Sequence, residues 1–600
     1  MIRPSRTRIS DPRGPSRRTF VKGLALGGVA AGLGLGTDTA WARGPRQPTG
    51  VLSGTEFDLS FGETMVNFTG RPRVAHTVNG SLPAPILRWR EGDTVTLRVA
   101  NTLRDDQASI HWHGILLPAN MDGVPGLSFN GIAPGETFVY RFHVRQGGTY
   151  WYHSHSAFQE QLGLYGALII DPREPEPFHY DREHVVLLSD WTDERPERVF
   201  AKLKKDAHYY NFQQRTVGDF FRDVRQHGFR ETLAERAAWG RMRMSPTDIA
   251  DVTGYTYTYL MNGVTPAGNW TGLFRPGERI RLRFINASAM TYFDVRIPGV
   301  KMTVVETDGQ YVHPVTVDEF RIAVAETLDV IVEPSGGDAF TIFAQSMDRS
   351  GYARGTLAVR EGLEAPVPAL DPRPLLSMAD MGHAHGEGGH DPHAGHHGPP
   401  EADPHAGHGA PGHPDAHAHG AAGMTMQSHP ASEEGNPLVD MQTMMPAPRL
   451  DDPGIGLRNN GRRVLTYSDL RSLFDDPDGR EPGRTIELHL TGHMERFVWS
   501  FDGIKFSGAD PIRFTYGERL RIVLVNDTMM AHPIHLHGMW SDLEDAAGRF
   551  QVRMHTVDMP PGTRRSYRVT ADALGRWAYH CHLLYHMEAG MFREVRVEER

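Results

Sequence analysis

The sequence predicts an all-β protein built as three consecutive β-sandwich domains. Three observations carry this: length, a segment that recurs three times, and period-2 alternation inside each copy. At 600 residues the chain exceeds what a single hydrophobic core can organise, so several domains are required. The recurring segments are Gly92-Asp-Thr-Val-Thr-Leu-Arg-Val-Ala-Asn101, Gly277-Glu-Arg-Ile-Arg-Leu-Arg-Phe-Ile-Asn286 and Gly517-Glu-Arg-Leu-Arg-Ile-Val-Leu-Val-Asn526. Alternating apolar and polar residues mark a half-buried strand, and the Gly, Asn and Pro punctuation on either side points to antiparallel sandwiches.

In chain order, the first element is residues 1–42. Arg17 and Arg18 lie in Ser16-Arg-Arg-Thr-Phe-Val-Lys22, ahead of a Gly-rich, weakly apolar stretch and then Ala40-Trp41-Ala42. This resembles a twin-arginine export signal. Gly23 to Gly36 is too short and too glycine-rich to match the ~20 apolar residues of a membrane span. The mature chain is expected to begin near Arg43 and to work in the periplasm, without stable membrane insertion.

Residues 50–175 form the first expected domain and 485–600 the third. These two match beyond the shared segment: Gly135 precedes His153 by the interval at which Gly562 precedes His580, and Gly148 and Gly575 keep step. The middle domain, 183–360, has the glycine and asparagine but no histidine pair at the matching place, so it reads as a spacer. It carries a helix-like insertion at about 195–250. From 361 to 484 the composition changes, and Met378 to Met445 is Gly, Pro, Ala, His and Met with almost no large apolar residue. That stretch cannot build a core of its own and reads as a disordered His/Met-rich linker.

Composition narrows the function. A net charge of −10 with 39% hydrophobic and 23% charged residues gives no electrostatic footprint for nucleic acid. One cysteine, Cys581, allows no internal disulfide, so a lone thiol in an exported protein points to chemistry.

Four histidine clusters fall in the repeated units: His111-Trp-His113, His153-Ser-His155, His532-Pro-Ile-His535-Leu-His537, and His580-Cys581-His582 followed by His586 and Met591. On an extended backbone, residues i and i+2 face one side and i+1 the other. His580-Cys581-His582 therefore sends two imidazoles to one site and a thiolate to another, a short covalent wire between metal centres. One cysteine, two histidines and a weak axial methionine are the composition of a blue-copper centre, supplied by Cys581, His532, His586 and Met591. The other eight histidines would enclose a cluster of several coppers between domains one and three.

These motifs resemble those of the multicopper oxidases, the superfamily of laccases, ascorbate oxidases and cuprous oxidases. The resemblance spans the chain apart from the linker. The signal, the insertion and the His/Met-rich tract look most like the bacterial copper-resistance branch. It implies cupredoxin-like Greek-key sandwiches and four copper ions: one type 1, one type 2 and a type 3 pair. His111 and His535 would hold type 2; His113, His153 and His582 one type 3 ion; His155, His537 and His580 the other. His111 and His535 occupy equivalent places in the repeat and should face each other across a pseudo-symmetric interface.

Reducing dioxygen to two waters takes four electrons and four protons, so an acid is needed nearby. Asp122, in Met-Asp-Gly-Val-Pro, is one candidate and Glu588 a second. The cuprous-oxidase branch often carries glutamate directly after the position of His586, where this chain has Met587, and that departure leaves the proton route open. Cu(I) and phenols are the competing electron donors. Asp527, Met529 and Met530, just before His532, resemble the substrate-copper side of cuprous oxidases, and thioethers favour Cu(I). In the linker, Met381, Met424, Met426, Met441, Met444 and Met445 lie among His383, His385, His390, His396, His397, His417 and His419. A non-catalytic copper-sequestering protein and a two-domain copper nitrite reductase are alternatives; the complete set of cluster histidines disfavours both. A cluster housed between domains of one chain needs no oligomer, so a monomer is expected.

Overall fold

The computed structural model describes residues 50–382 and 426–600, so the export-signal reading and the histidines from His383 to His419 lie outside the described residues. Six sheets pair into three sandwiches: five and four strands in the first domain, six and five in the second, six and five in the third.

The repeat has a structural cause. Gly92, Gly277 and Gly517 all turn the chain at positive φ, between 80° and 92°, which side chains resist. Each repeat then runs as a strand: Thr94–Asn101, Ile280–Asn286 and Arg519–Asn526. The closing asparagines are fully buried and do the same work three times. Each donates its amide to two backbone carbonyls, Asp106 and Ile132 for Asn101, Thr291 and Ile322 for Asn286, Met530 and Met559 for Asn526. Each also accepts from the backbone N–H two residues on, and so locks the following loop to the strand.

The sheets are mixed, which corrects the antiparallel expectation. In every domain the first long strand lies parallel to the repeat strand: Glu56–Val66, Arg182–Trp191 and Arg484–His493. Alternation reports how the two faces are buried and carries no information on direction. The second repeat is buried on both faces, because its polar face meets another domain. There Arg281 pairs with Glu306 at 2.8 Å and Asp329 at 2.6 Å, Arg283 donates to Thr149 Oγ1 of the first domain at 2.8 Å, and the Thr149 N–H donates to Glu306 at 2.9 Å.

The insertion is helical as expected: α1 (Pro196–Leu203), α2 (Val217–His227) and α3 (Phe229–Met242). Thr216 and Asp219 make a capping box at the start of α2. The first helix covers the third domain: Phe200 stacks on Tyr585, and Lys204 Nζ donates to the Phe497 carbonyl at 2.8 Å.

The reading of 361–484 as a disordered linker is overturned for its described parts. Residues 361–382 and 426–484 lie against domains two and three, burying Leu376, Met381, Met441, Leu450, Leu457, Val464 and Leu470. Arg462 bonds to Glu319 at 2.7 Å, Tyr467 to Glu326 at 2.8 Å, and Gln551 of domain three to the Leu470 carbonyl at 3.1 Å. A segment without its own core is held by grooves that others supply, which composition alone does not reveal.

Candidate metal centre

Strand pairing brings the histidines together. In domain one, His111–His113 runs antiparallel to Gly148–His153 with His111 opposite His153. In domain three, His532–Leu536 pairs with Gly575–Cys581, with His535 opposite His580 and Ile534 opposite Cys581. The two pairs meet across the domain interface, where the His111 and His535 rings lie 5.8 Å apart and those of His113 and His535 stack at 3.9 Å. Ring nitrogens of His113, His153 and His582 converge within 4.8 Å of one another, as do those of His155, His537 and His580, and those of His111, His113 and His535.

The donor set fits metal. His111 Nδ1 donates to the Asp122 carbonyl at 2.9 Å, His153 Nδ1 to that of Ser154 at 3.0 Å, His535 Nδ1 to that of His555 at 2.6 Å, and His580 Nδ1 to that of Cys581 at 2.9 Å. These bonds fix the tautomer and leave Nε2 bare, the arrangement of metal-binding imidazoles. Among the described residues, Nε2 of His111, His153 and His535, Nδ1 of His113 and both ring nitrogens of His582 are buried without a hydrogen-bond partner. Such orphaned acceptors are costly unless something cationic sits between them. Burial pushes the pKa of His113, His153, His155, His535, His537 and His582 well below the ordinary imidazole value, and that of His580 to about 4. They are neutral and ready to ligate.

Beyond His580 and His582 the wire ends at Cys581. Its Sγ lies 3.5 Å from His532 Nδ1 and 3.9 Å from His586 Nδ1, and those two nitrogens are 3.1 Å apart. His586 belongs to α4 (Leu584–Ala589), and Met591, fully buried, follows that helix. Burial pushes the Cys581 thiol well above its usual value, so a thiolate here needs a cation beside it. Trp499, fully buried, stacks on His586 at 4.1 Å.

Asp122 is buried between two cluster histidines, with Oδ2 2.8 Å from His537 Nδ1 and Oδ1 3.3 Å from His111 Nδ1. Glu588, by contrast, is exposed on α4, because the helix turns His586 inward and the residue two further on outward. The acid that sequence reasoning passed over is Glu160, buried, with Oε2 2.8 Å from His153 Nδ1 and Oε1 unpaired. Burial and then Asp190 push its carboxyl well above the usual range.

Asp527, Met529 and Met530 do not form one site. Asp527 turns away to His489, 2.6 Å off. Met529 and Met530 border adjoining cavities that meet at Met347. Beside His532 stands Thr528 instead, its Oγ1 2.7 Å from Nε2. The cavity at Met530 is also lined by Met290, Met347, Asp348 and Asp251. Asp251, which closes the helical insertion, puts Oδ2 2.7 Å from His586 Nε2. The middle domain is thus more than a spacer: Asp308 likewise accepts from the N–H groups of His555 and Thr556, both at 3.0 Å, behind the cluster. Nothing in the local sequence of Asp251 or Asp308 marks these contacts, since Asp308 reads as an ordinary Asp-Gly turn.

Three cupredoxin-like sandwiches, a Cys-His-His site and an eight-histidine cluster joined through one Cys-flanking pair define a class of copper oxidoreductase. Multicopper oxidase family models match residues 61–175, 182–362 and 479–600, and the chain belongs to the multicopper oxidase family. It is 68% identical to Copper resistance protein A of Escherichia coli over 97% of this chain and 99% of that one. It is 70% identical to a Copper resistance protein A homolog of Pseudomonas syringae pv. tomato, over 98% and 100%. Multicopper oxidase MmcO of Mycobacterium tuberculosis is 29% identical over 97% and 96%. Among solved structures, the multicopper oxidase Fet3p superposes with a TM-score of 0.62 at 19% identity, covering 91% of each chain, a likeness of fold.

Proposed function

We propose that this oxidase works in the periplasm in copper resistance, taking electrons one at a time from Cu(I) and delivering them to dioxygen. Copper held by Cys581, His532, His586 and Met591 would accept the electron, and copper held by the eight cluster histidines, as type 2 and type 3 ions, would reduce dioxygen. The chain's own groups do the rest. Cys581 and its neighbours His580 and His582 supply the covalent path; Asp122 orients His111 and His537 and, with Glu160, is placed to hold protons for the departing waters.

One observation carries the choice of donor: the cavity lined by Met290, Met347 and Met530 ends on Asp251, which is bonded to His586. Thioethers bind soft Cu(I) and hold the harder Cu(II) poorly, so the same pocket can hold the donor before and release the product after the electron leaves. The names of the two Copper resistance protein A relatives agree with a copper-resistance role.

The test is dioxygen uptake by copper-loaded protein, with Cu(I) or a phenol as donor, in wild type and in Met290→Leu/Met530→Leu. Cu(I)-driven uptake should fall at least tenfold in the variant, with phenol-driven uptake kept. Equal loss with both donors would return the reading to a general laccase, and no catalytic uptake at all to a sequestering protein.

A further inference from the structure

We propose that His429, Glu433, His489 and Asp527 form a second kind of metal site, closed and separate from the oxidase centre, that takes one divalent transition-metal ion through two nitrogens and two carboxylate oxygens. The ligand atoms lie within 4.8 Å of one another. Two come from the domain framework: His489 from strand Arg484–His493, and Asp527 from just past the repeat asparagine, its N–H bonded to the Leu490 carbonyl at 2.9 Å. The other two come from the segment that returns to domain three. A turn there sets His429 and Glu433 four residues apart, and Ser432 and Asn436 pin that turn to the carbonyls of Asp502 and Gly503 at 2.8 and 2.9 Å.

Both imidazoles are oriented as ligands. His429 Nε2 donates to the Thr443 carbonyl at 3.1 Å and His489 Nε2 faces Glu487 Oε1 at 3.3 Å. Each therefore turns its Nδ1 inward, toward the two carboxylates, with the outer nitrogen anchored as in metal-binding histidine. Inside, His489 Nδ1 is 2.6 Å from Asp527 Oδ2, and His429 Nδ1 is 3.2 Å from Glu433 Oε2 and 3.3 Å from Asp527 Oδ2. Asp527 is held from behind by the Thr443 N–H at 2.7 Å, and Glu433 by Gln442 at 3.1 Å.

An independent observation points to a ligand. Glu433 has no exposed side-chain surface, yet among the described residues its Oε1 has no hydrogen-bond partner, and His489 Nδ1 is 3.7 Å away. A network of ion pairs alone would leave that oxygen desolvated and unbonded. A cation in the middle satisfies it. Without a metal, Asp527 holds the His429 imidazole up at about 9, so loading displaces its proton; with the ion bound, two neutral imidazoles and two carboxylates carry two negative charges, the complement of M²⁺.

The donors select the ion. With no sulfur in the set, Cu(I) is disfavoured, and imidazole with carboxylate suits Cu(II) or Zn(II). Because two ligands lie on each side, the ion would clasp the returning segment to domain three. Asp527 is also next to Thr528, so the clasp begins one residue from the hydroxyl that touches His532.

The experiment uses full-length protein already loaded with copper, stripped of loose metal by a chelator, then equilibrated with Zn(II) alone or Cu(II) alone. Metal per chain and Tm are measured for wild type, Glu433→Gln and Asp527→Asn, with the blue absorption as a check of folding. Histidines elsewhere contribute equally to all three. Wild type should retain one ion per chain more than either variant, and only wild type should gain Tm with added metal; whichever ion does this identifies the occupant. Equal retention and equal Tm response in all three would overturn the site, as would a wild type that keeps neither ion after the chelator.

Discussion

Asp251 and His586, separated by 335 residues, meet at 2.7 Å through Oδ2 and Nε2, so a carboxylate of the middle domain backs a histidine whose other nitrogen faces Cys581. An anionic partner raises the basicity of a ligating imidazole and stabilises the more highly charged state of the metal. Asp251→Asn should raise the midpoint potential of the blue centre in a redox titration and lower Cu(I) oxidation by about 10–100-fold. An unchanged potential would mean that the contact is packing alone.

Cys581→Ser should abolish the blue absorption and dioxygen uptake with every donor, because a hydroxyl cannot replace a thiolate as ligand or as conduit. Copper in the eight-histidine cluster should remain, since His580 keeps its strand and its hydrogen bond to the backbone carbonyl of residue 581, and the other cluster histidines do not touch the thiol. Retention of the blue band would refute the assignment.

Much of this centre was legible because its geometry is local. His-x-His on a strand fixes which way each ring points, and the repeat's glycine and asparagine recur because each turn needs positive φ and each loop needs the same amide anchor. What was illegible is what joins distant segments. Asp251, Asp308 and Glu160 act through contacts that no spacing encodes, and His429 and Glu433 sit beside a tract whose composition hid an ordered turn. Glu588 misled for the opposite reason: it is close to His586 in sequence and on the other side of a helix.

Asp122→Asn keeps shape and removes the group that can take up and give back a proton. Since Asp122 spans His537 and His111, both donors should lose turnover by about 100-fold, in line with removal of a general acid. Copper content and blue absorption should persist, and a stopped-flow trace should record normal reduction followed by slow reoxidation. Reoxidation at the wild-type rate would move the proton source elsewhere, with Glu160→Gln the next variant to compare.

The interface of domains one and two should impose its own pH dependence through Glu183. Its carboxylate is shared by Arg283, at 2.9 and 2.8 Å, and Arg88 of the first domain. Burial pushes the carboxyl up, but the two guanidiniums outweigh it and hold it at about 2, against an ordinary 4.5. A pKa depressed by folding contributes stability that is complete above the unfolded value and disappears as pH falls through the folded one. The contribution should therefore be constant above about pH 5 and fade between about 4.5 and 2. Glu183→Gln leaves Arg88 its partner Asp171 and Arg283 its partner Asp329, so no guanidinium is stranded. At neutral pH the variant should lose at most about 3 kcal/mol, seen as a lower apparent Tm. The gap between the two Tm curves should close on acidification through that window; a gap that stayed constant down to pH 2 would show that Glu183 acts by packing and not by charge.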